Sequence, residues 1–229
     1  MGQTGVMTMN PLMNKPNAAL ARVGQSVKDR LLGYERTHHF DQNGLELFVV
    51  QHFLTLEECL LLVTRIDTDR QPSQILSSNP DYGFRTSDSC NMNAHDPLVK
   101  RIEARICGLL GIDARYGETM QGQRYAVGQQ FKAHHDFFHT DQPYWQKMKK
   151  NGGQRSWTAM IFLNEPEAGG ATDFPDAGLR VHPQTATLVI WNNMKPDGSP
   201  NPVSLHAGMP VEAGTKYIIT KWFRERPWG

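Results

Sequence analysis

The residues best suited to chemistry in this sequence form a short histidine-rich segment from Phe131 to His139, which reads FKAHHDFFH. Side chains alternate between the two faces of a β-strand, so His134 and Asp136 are predicted to share one face and His135 to lie on the other. A histidine and a carboxylate on one face supply two of the three ligands of a 2-His-1-carboxylate triad. That triad suits non-haem Fe(II) and leaves coordination positions open.

The third ligand must come from a distant strand, and the candidates are His182 and His206. His182 precedes Pro183, which is typical of a turn, whereas His206 lies in the β-rich stretch 203–211. Lys216 follows ten residues after His206 on the next predicted strand, and a cation beside a metal can pair with a carboxylate cosubstrate. A His-x-Asp pair is common by chance, so the combination with a later histidine and lysine carries the prediction.

Composition and charge argue against several other functions. The 229 residues carry 24 Lys plus Arg and 23 Asp plus Glu, a net charge of +1 without a basic block, which gives no support to nucleic-acid binding. Cys59, Cys90 and Cys107 lack the spacing of a zinc site or a disulfide framework. No apolar run approaches the roughly 20 residues needed to span a bilayer, and no signal-peptide pattern is evident. We therefore expect a cytoplasmic protein with no membrane and no nucleic-acid partner.

Helical patterns dominate the first half of the chain. Apolar residues recur at helical spacing over 18–33, and Thr55 with Glu58 forms a capping box that begins a second helix. Asp96-Pro97 begins a third helix, which is predicted to end at Gly111. A β-rich segment begins at Leu45.

Eight short β-rich segments follow Glu118, separated by Gly, Pro, Asn and Asp. We predict an α+β, mostly β fold with a double-stranded β-helix (jelly-roll) core and a supporting layer of N-terminal helices. Residues 1–17 are predicted to be a flexible N-terminus and residues 18–229 a single domain. Two loops, 72–93 and 139–155, are predicted to cover the site. The Lys147–Lys150 run in the second could be an ordinary solvated turn.

A series of motifs runs in order from Phe48 to Trp222, over most of the chain. They are Arg85-Thr86-Ser87, the helix Asp96 to Leu110, Gln121 to Tyr125, Gly128-Gln129, His134-x-Asp136, Arg155-x-x-Thr158, Leu163-Asn164, Gly169-Gly170-x-Thr172-x-Phe174-Pro175, Trp191-Asn192, His206-x-Gly208, Pro210-Val211, Lys216 and Lys221-Trp222. In this order they resemble the Fe(II)- and 2-oxoglutarate-dependent dioxygenases, and specifically the prolyl 4-hydroxylase catalytic domain, of the procollagen-proline 4-dioxygenase type.

The resemblance implies an iron-dependent hydroxylase. His134, Asp136 and His206 would bind Fe(II), and three protein ligands would leave three positions for 2-oxoglutarate and O2. The family couples decarboxylation of 2-oxoglutarate to succinate and CO2 with hydroxylation of an unactivated C–H bond. The protein contributes orientation and a closed, dry site.

The resemblance also assigns residues to the cosubstrate. Lys216 would pair with the distal carboxylate of 2-oxoglutarate, and Tyr125 and Thr158 would add hydrogen bonds. Lys216 thereby counts among the catalytic residues together with the three metal ligands. Ascorbate is the expected reductant.

Candidate substrate contacts are Arg85, Arg155 and Trp222, whose other interpretation is surface charge for the arginines and core packing for the tryptophan. Two departures concern the substrate. Phe131 stands where such hydroxylases often have a tyrosine near the peptide, and Arg224 stands where a histidine can occur. The missing hydroxyl at Phe131 argues against the family's usual way of binding a peptidyl proline.

Three hypotheses for function remain. The first is hydroxylation of a proline in a protein or peptide, the second is hydroxylation of a free amino acid or other small metabolite, and the third is a catalytically silent binding module on the same fold. The four residues His134, Asp136, His206 and Lys216 argue against the third. The sequence gives no indication of the oligomeric state.

Overall fold

The computed structural model describes residues 15–74 and 83–229. The α-helices are α1 (Ala18–Leu32), α2 (Leu56–Asp69), α3 (Pro97–Leu110) and α4 (Trp145–Lys150). The strands are β1 (Thr37–Gln42), β2 (Leu45–Val50), β3 (Gln71–Pro72), β4 (Asp88–Asn91), β5 (Gln121–Tyr125), β6 (Phe131–His134), β7 (Arg155–Phe162), β8 (Ala168–Gly169), β9 (Thr172–Phe174), β10 (Leu179–Val181), β11 (Thr187–Asn192), β12 (His206–Gly208), β13 (Val211–Ala213) and β14 (Lys216–Arg224). Short 3-10 helices lie at Ala114–Tyr116, Pro175–Ala177 and Pro202–Ser204.

Antiparallel pairing arranges these strands in one large sheet and two smaller ones. The large sheet has eight strands in the order β1-β2-β11-β7-β14-β5-β4-β3, a four-stranded sheet has the order β10-β9-β12-β6, and β13 pairs with β8. Most neighbours in both larger sheets are distant in sequence. This arrangement confirms the predicted jelly-roll core. The pairing of non-consecutive strands also brings together β6 and β12, which carry the predicted histidine ligands.

The central strands of the large sheet are apolar on both faces because each face packs on a different layer. One core lies between the large sheet and helices α1, α2 and α3, and the other lies between the large sheet and the four-stranded sheet. The helix-side core includes Val27, Leu62, Ile102, Trp157, Ala159, Ile161, Ile190, Ile219 and Phe223. The inner core includes Leu47, Tyr125, Met160, Phe162, Phe174, Val189, Trp191 and Ile218.

The helix boundaries follow from the capping residues that the sequence offers. Thr55 and Glu58 form the predicted capping box at the start of α2. Asp96 accepts hydrogen bonds from the first turn of α3, and Gly111 ends that helix at φ +70°, in the left-handed region that favours glycine. Asn17 caps α1. The predicted three-helix supporting layer is confirmed, and none of the helices in the described residues is long and apolar enough to cross a membrane.

The structure differs from the sequence prediction at several elements. Strand β1 precedes a two-residue turn at Asn43 and Gly44, both with positive φ, and pairs with β2. The predicted loop 72–93 contains β4 and has residues 75–82 outside the described part. The predicted loop 139–155 is not structureless, because it contains α4. Residues 1–14 of the predicted flexible N-terminus also lie outside the described residues, and the single-domain prediction for 18–229 stays a prediction.

Candidate active site

The two candidate histidine ligands lie directly opposite each other on neighbouring strands. Strand β12 pairs antiparallel with β6, and His206 is the register partner of His134. Their ring centroids are 4.3 Å apart. Side chains of opposed residues in an antiparallel pair point to the same face, so the pairing of β6 with β12 brings together two residues that are 72 positions apart in sequence.

Asp136 completes the cluster, although not by strand alternation. Strand β6 ends at His134, and Asp136 lies in the bend that follows. Its Oδ1 is 3.9 Å from His134 Nε2, and its Oδ2 is 3.8 Å from His206 Nε2. The potential ligand atoms of the three residues all lie within 4.8 Å of one another. The predicted grouping is therefore present, but the bend after β6 rather than a continuous strand positions the carboxylate.

Backbone carbonyls fix the orientation of both imidazoles. His134 Nδ1 is 2.8 Å from the carbonyl oxygen of Lys132, and His206 Nδ1 is 2.9 Å from that of Ser204. A carbonyl only accepts hydrogen bonds, so each Nδ1 must carry a proton, and the neutral form of each ring then presents a lone pair at Nε2. Such outer hydrogen bonds are typical of metal-binding histidines. In both rings the Nε2 atom faces Asp136.

Electrostatics hold His134 and Asp136 in the protonation states that a metal requires. Burial and the neighbouring His206 lower the pKa of His134 to about 3, which leaves a neutral imidazole. Burial alone would raise the pKa of Asp136, but the attraction of His206, His134 and Arg155 outweighs it and the net shift is downward. A neutral His134 imidazole and an ionised Asp136 carboxylate, together with the imidazole of His206, match the donor set of non-haem Fe(II) sites.

Lys216 lies on the inner face of β14, opposite Tyr125 of β5 in the register. The side chain is 1% exposed, and among the described residues it has neither a hydrogen-bond acceptor nor a carboxylate partner. Its Nζ is 5.3 Å from the ring centroids of Tyr125 and Phe162. A Cβ at Gly170 would lie 3.2 Å from Lys216 Cδ, so the glycine leaves room for the lysine stem. Burial lowers the pKa of Lys216 to about 7.

A buried ammonium without a partner is costly, and a bound carboxylate would remove that cost. Lys216 therefore fits the predicted 2-oxoglutarate site. Tyr125 beside it donates a hydrogen bond to Gln123 Oε1 at 2.8 Å, and Gln123 donates in turn to Thr220 Oγ1 at 3.0 Å. Burial raises the pKa of Tyr125, and the negative charge of Asp136 adds a smaller increase.

The hydroxyl of Thr158 bonds to protein groups, whereas the family resemblance implied a hydrogen bond to 2-oxoglutarate. Its hydroxyl donates to Asp136 Oδ2 at 2.7 Å and accepts from Asn193 Nδ2 at 2.9 Å. A hydroxyl has one proton to donate, so Thr158 cannot at the same time donate to a cosubstrate carboxylate. The structure places this residue beside the predicted carboxylate ligand, and its contact with 2-oxoglutarate stays a prediction.

The three candidate substrate contacts lie at the rim of the cluster. Arg85 donates to Gln121 Oε1 at 2.9 Å and stacks over Phe131 at 4.9 Å, and burial lowers its pKa. Arg155 is not a surface charge, because it makes two hydrogen bonds of 2.6 and 2.7 Å with Glu118. Its guanidinium also lies 4.2 Å from the centroid of Trp222.

The two departures from the family pattern have different structural roles. Phe131 stacks on the His134 ring at 3.6 Å and so packs against a candidate ligand. Arg224 is part of the protein interior, because it donates to Glu118 and to the carbonyl oxygens of Met148 and Asn151. It therefore fastens the end of α4 to β14 and does not replace a histidine at the cluster.

The remaining histidine candidates lie outside the cluster. His135 Nε2 is 3.0 Å from the carbonyl oxygen of Pro202, and its ring packs on Phe137, as predicted for a side chain that faces away from His134. His182 is exposed after β10, and the cluster contains His206 instead.

Sequence reasoning missed several residues around the site. It gave no role to Asn193, whose only signal is its position directly after the apolar strand β11. Glu118, which holds Arg155 and Arg224, carries no local signal. The carbonyl groups that orient the two imidazoles belong to the backbone, so side-chain identity could not reveal them.

Comparisons with known proteins find matches to the part of the chain that contains this site. The profile of the 2OG-Fe(II) oxygenase superfamily matches residues 120–224, a range that contains the three clustered residues and Lys216. Probable prolyl 4-hydroxylase 8 of Arabidopsis thaliana is 34% identical over 200 residues, which are 77% of this chain and 67% of that protein. Prolyl 4-hydroxylase subunit alpha-1 of Homo sapiens is 36% identical over 157 residues, which are 65% of this chain and 29% of that protein.

Solved structures share the fold. The viral collagen prolyl hydroxylase of Paramecium Bursaria Chlorella virus-1 superposes with a TM-score of 0.62 at 24% identity, over 78% of this chain and 95% of that one. A Pseudomonas putida prolyl-4-hydroxylase superposes with a TM-score of 0.57 at 17% identity, over 88% and 98% of the two chains. The Arabidopsis match extends over most of both proteins. On this evidence the chain belongs to the prolyl 4-hydroxylase family of Fe(II)- and 2-oxoglutarate-dependent oxygenases.

Proposed function

We propose that this chain hydroxylates proline residues in a peptide or protein, with Fe(II) and 2-oxoglutarate bound at the site described above. The observation that carries the proposal is the convergence of His134, Asp136 and His206, with all ligand atoms within 4.8 Å. Bound iron and 2-oxoglutarate would supply the oxidation of the C–H bond with O2. The protein's own residues would orient these groups.

Each inner-face residue then has a defined task. The Nε2 atoms of His134 and His206 and the carboxylate of Asp136 would hold the metal. Lys216 would neutralise the distal carboxylate of 2-oxoglutarate, and the ring of Tyr125 beside it would keep water from that ion pair. Exclusion of water strengthens the ion pair and protects reactive species from side reactions.

Several observations support a peptidyl substrate. The relatives that match along most of their length carry the name prolyl 4-hydroxylase. One protein with the same fold, from Trichoplax adhaerens, is described in complex with a peptide fragment. Arg85, the Arg155–Glu118 pair and Trp222 form a polar and aromatic rim beside the cluster, which could bind backbone carbonyl groups and a proline ring.

The second candidate function, hydroxylation of a free amino acid or small metabolite, is favoured by Phe131. This residue stacks on His134 and offers no hydroxyl to a peptide. Arg85 has no carboxylate partner among the described residues, so it could also bind the carboxylate of a free amino acid.

A substrate screen separates the two functions. The chain is incubated with Fe(II), 2-oxoglutarate and either proline-rich peptides or free amino acids, and mass spectrometry detects the gain of one oxygen atom. The same peptides with alanine in place of proline and the His134→Ala chain serve as controls. We expect oxidation of proline peptides only. Oxidation restricted to free amino acids would favour the second function, and iron binding without substrate-stimulated succinate formation would revive the silent binding module.

Two further points extend the proposal. Ascorbate is the proposed reductant that returns oxidised iron to Fe(II), and its omission should shorten the period of linear turnover. We also propose a cytoplasmic location, which is consistent with three buried, unpaired cysteines at 59, 90 and 107. Fractionation of cells with an antibody to the chain would test that location.

A further inference from the structure

We propose that Asn193 and Thr158 form a hydrogen-bond relay that positions Asp136 to bind the metal through a single oxygen atom. The inference rests on the proposed metal site and deepens it. Thr158 lies on the inner face of β7, and Asn193 directly follows β11, the neighbouring strand. Both residues are 0% exposed, so bulk water cannot replace either partner of the relay.

The direction of the hydrogen bonds follows from the chemistry of the three groups. An ionised carboxylate only accepts, so Thr158 must use its single proton on Asp136 Oδ2. The hydroxyl then has only lone pairs to offer to Asn193, which must present its NH₂ group. This orientation leaves Asn193 Oδ1 without a partner among the described residues. A buried polar atom without a partner is destabilising. The amide adopts this orientation nevertheless, because the Thr158 hydroxyl can only accept a hydrogen bond from Asn193.

The backbone around Asn193 makes the relay rigid. Its N–H donates to the carbonyl oxygen of Ser156 at 2.8 Å, and its own carbonyl accepts from Asn201 at 2.9 Å. Residue 156 is on the same strand as Thr158. Main-chain hydrogen bonds therefore hold the backbone of Asn193 against the strand that carries Thr158.

The relay distinguishes the two oxygen atoms of Asp136. Oδ2 is engaged by Thr158, whereas Oδ1 accepts no hydrogen bond from the described residues. Oδ1 lies 3.9 Å from His134 Nε2 and Oδ2 lies 3.8 Å from His206 Nε2, so the hydrogen bond from Thr158, and not the distance to the imidazoles, distinguishes the two oxygen atoms. A carboxylate that binds through one oxygen occupies one metal position and leaves the others for 2-oxoglutarate and O2. Thr158 and Asn193 are thus positioning residues and not ligands.

Metal titration tests the relay without requiring turnover. The free Mn(II) signal in electron paramagnetic resonance gives the Mn(II) dissociation constant of the metal-free chain and its variants. We expect Thr158→Val to raise the constant about 10- to 100-fold, the usual effect of losing an outer partner of a ligand. Thr158→Ser, which keeps the hydroxyl, should stay within about threefold of wild type because the hydrogen bond is retained. Asn193→Leu should show an intermediate increase.

Thr187→Val is the matched control. Thr187 is a buried threonine on β11 whose Oγ1 has no partner among the described residues, so its hydroxyl can be removed without affecting Asp136. The visible d–d spectrum of Co(II)-loaded protein reports coordination number, and it should change in Thr158→Val and Asn193→Leu but not in Thr187→Val.

The outcomes separate the relay from the metal site itself. Absence of Mn(II) binding by the wild-type chain would overturn the proposed metal site and the relay with it. Wild-type binding with an unchanged constant and Co(II) spectrum in a folded Thr158→Val variant would overturn the relay alone. Should Thr158→Val fail to fold, Asn193→Leu leaves Thr158 in place, and unchanged metal binding there would equally contradict the relay.

Discussion

Two lysines on strand β14 show how the two faces of the large sheet differ. Lys216 and Lys221 are 1% and 2% exposed, respectively. Lys221 faces the helix layer and pairs with Glu103 of α3, whereas Lys216 faces the inner core and has no acidic partner among the described residues. Glu103 offsets the charge of Lys221 within the protein. The charge of Lys216 is not offset by an acidic group in the described part of the chain, which is the contrast expected between a lysine buried for structure and one buried for ligand binding.

The same contrast holds for adjacent histidines. His134 presents its Nε2 to Asp136 on the inner side, and His135 turns to the carbonyl oxygen of Pro202. One residue of sequence thus separates a candidate ligand from a packing residue. We therefore expect substitutions of inner-face residues to change ligand binding and substitutions of outer-face residues to change stability.

The largest effect is expected for His134→Ala. Loss of one of three ligands should weaken Fe(II) binding by more than about 100-fold, beyond the usual effect of losing an outer partner, and should abolish turnover. Equilibrium dialysis of iron and succinate formation measure the two effects. His135→Ala is the control and should keep the metal affinity of wild type. Full activity of the His134 variant would refute the ligand assignment.

Lys216→Met should weaken 2-oxoglutarate binding by about 2–5 kcal/mol, because it leaves a desolvated carboxylate without its partner. The Michaelis constant for 2-oxoglutarate, or its dissociation constant by calorimetry, measures the loss. Lys221→Met removes a lysine of equal burial from the other face and should leave that constant unchanged. An unchanged constant in the Lys216 variant would mean that another cation anchors the cosubstrate.

The pH dependence of stability should also distinguish the faces. Burial lowers the pKa of Lys216 from 10.5 to about 7 in the ligand-free protein. Between these values the unfolded chain holds a proton that the folded chain has lost, so this group makes the free energy of unfolding rise with pH, by up to about 1.4 kcal/mol per pH unit. Below pH 7 both states are protonated and the burial cost is fully present.

Urea unfolding of wild type and Lys216→Met at pH 6, 7, 8 and 9 measures this slope. Subtracting the free energy of unfolding of the variant from that of wild type cancels the contributions of the other titrating groups. We expect this difference to be constant from about pH 6 to 7 and to change in favour of wild type above pH 7. A difference that does not vary up to pH 9 would contradict a lowered pKa for Lys216.

The smallest effect is expected for Lys221→Met, on stability alone. Glu103 keeps a side-chain exposure of 24%, so water compensates part of the lost ion pair and the destabilisation should be about 1–3 kcal/mol. Thermal unfolding measures it. Addition of Glu103→Gln to this variant should recover part of the loss in a double-mutant cycle. If Lys221→Met weakened 2-oxoglutarate binding by more free energy than it removed from the stability of the fold, the two faces would not differ in the way described.

Local sequence determined most elements because their signals are local. Capping residues and helical periodicity located α2 and α3, and the eight predicted β-rich segments correspond to strands of the structure. The elements without a sequence prediction are β1, β3, β4, β8, β13 and α4, none longer than six residues. Most of them lie in polar stretches without strong periodicity. Tertiary contacts hold them, as when Arg224 binds the carbonyl oxygens at the end of α4.

The sequence by itself determined the residue types of the site: a His-x-Asp segment, a later histidine and a lysine ten residues beyond it. Only the tertiary structure decided which atoms meet. Strand pairing placed His206 opposite His134, and the bend after β6 turned Asp136 toward both. The packing of β7 beside β11 brought Thr158 within hydrogen-bond distance of that carboxylate and of Asn193. These decisions depend on hydrogen bonds between distant segments, which no local pattern of residues encodes.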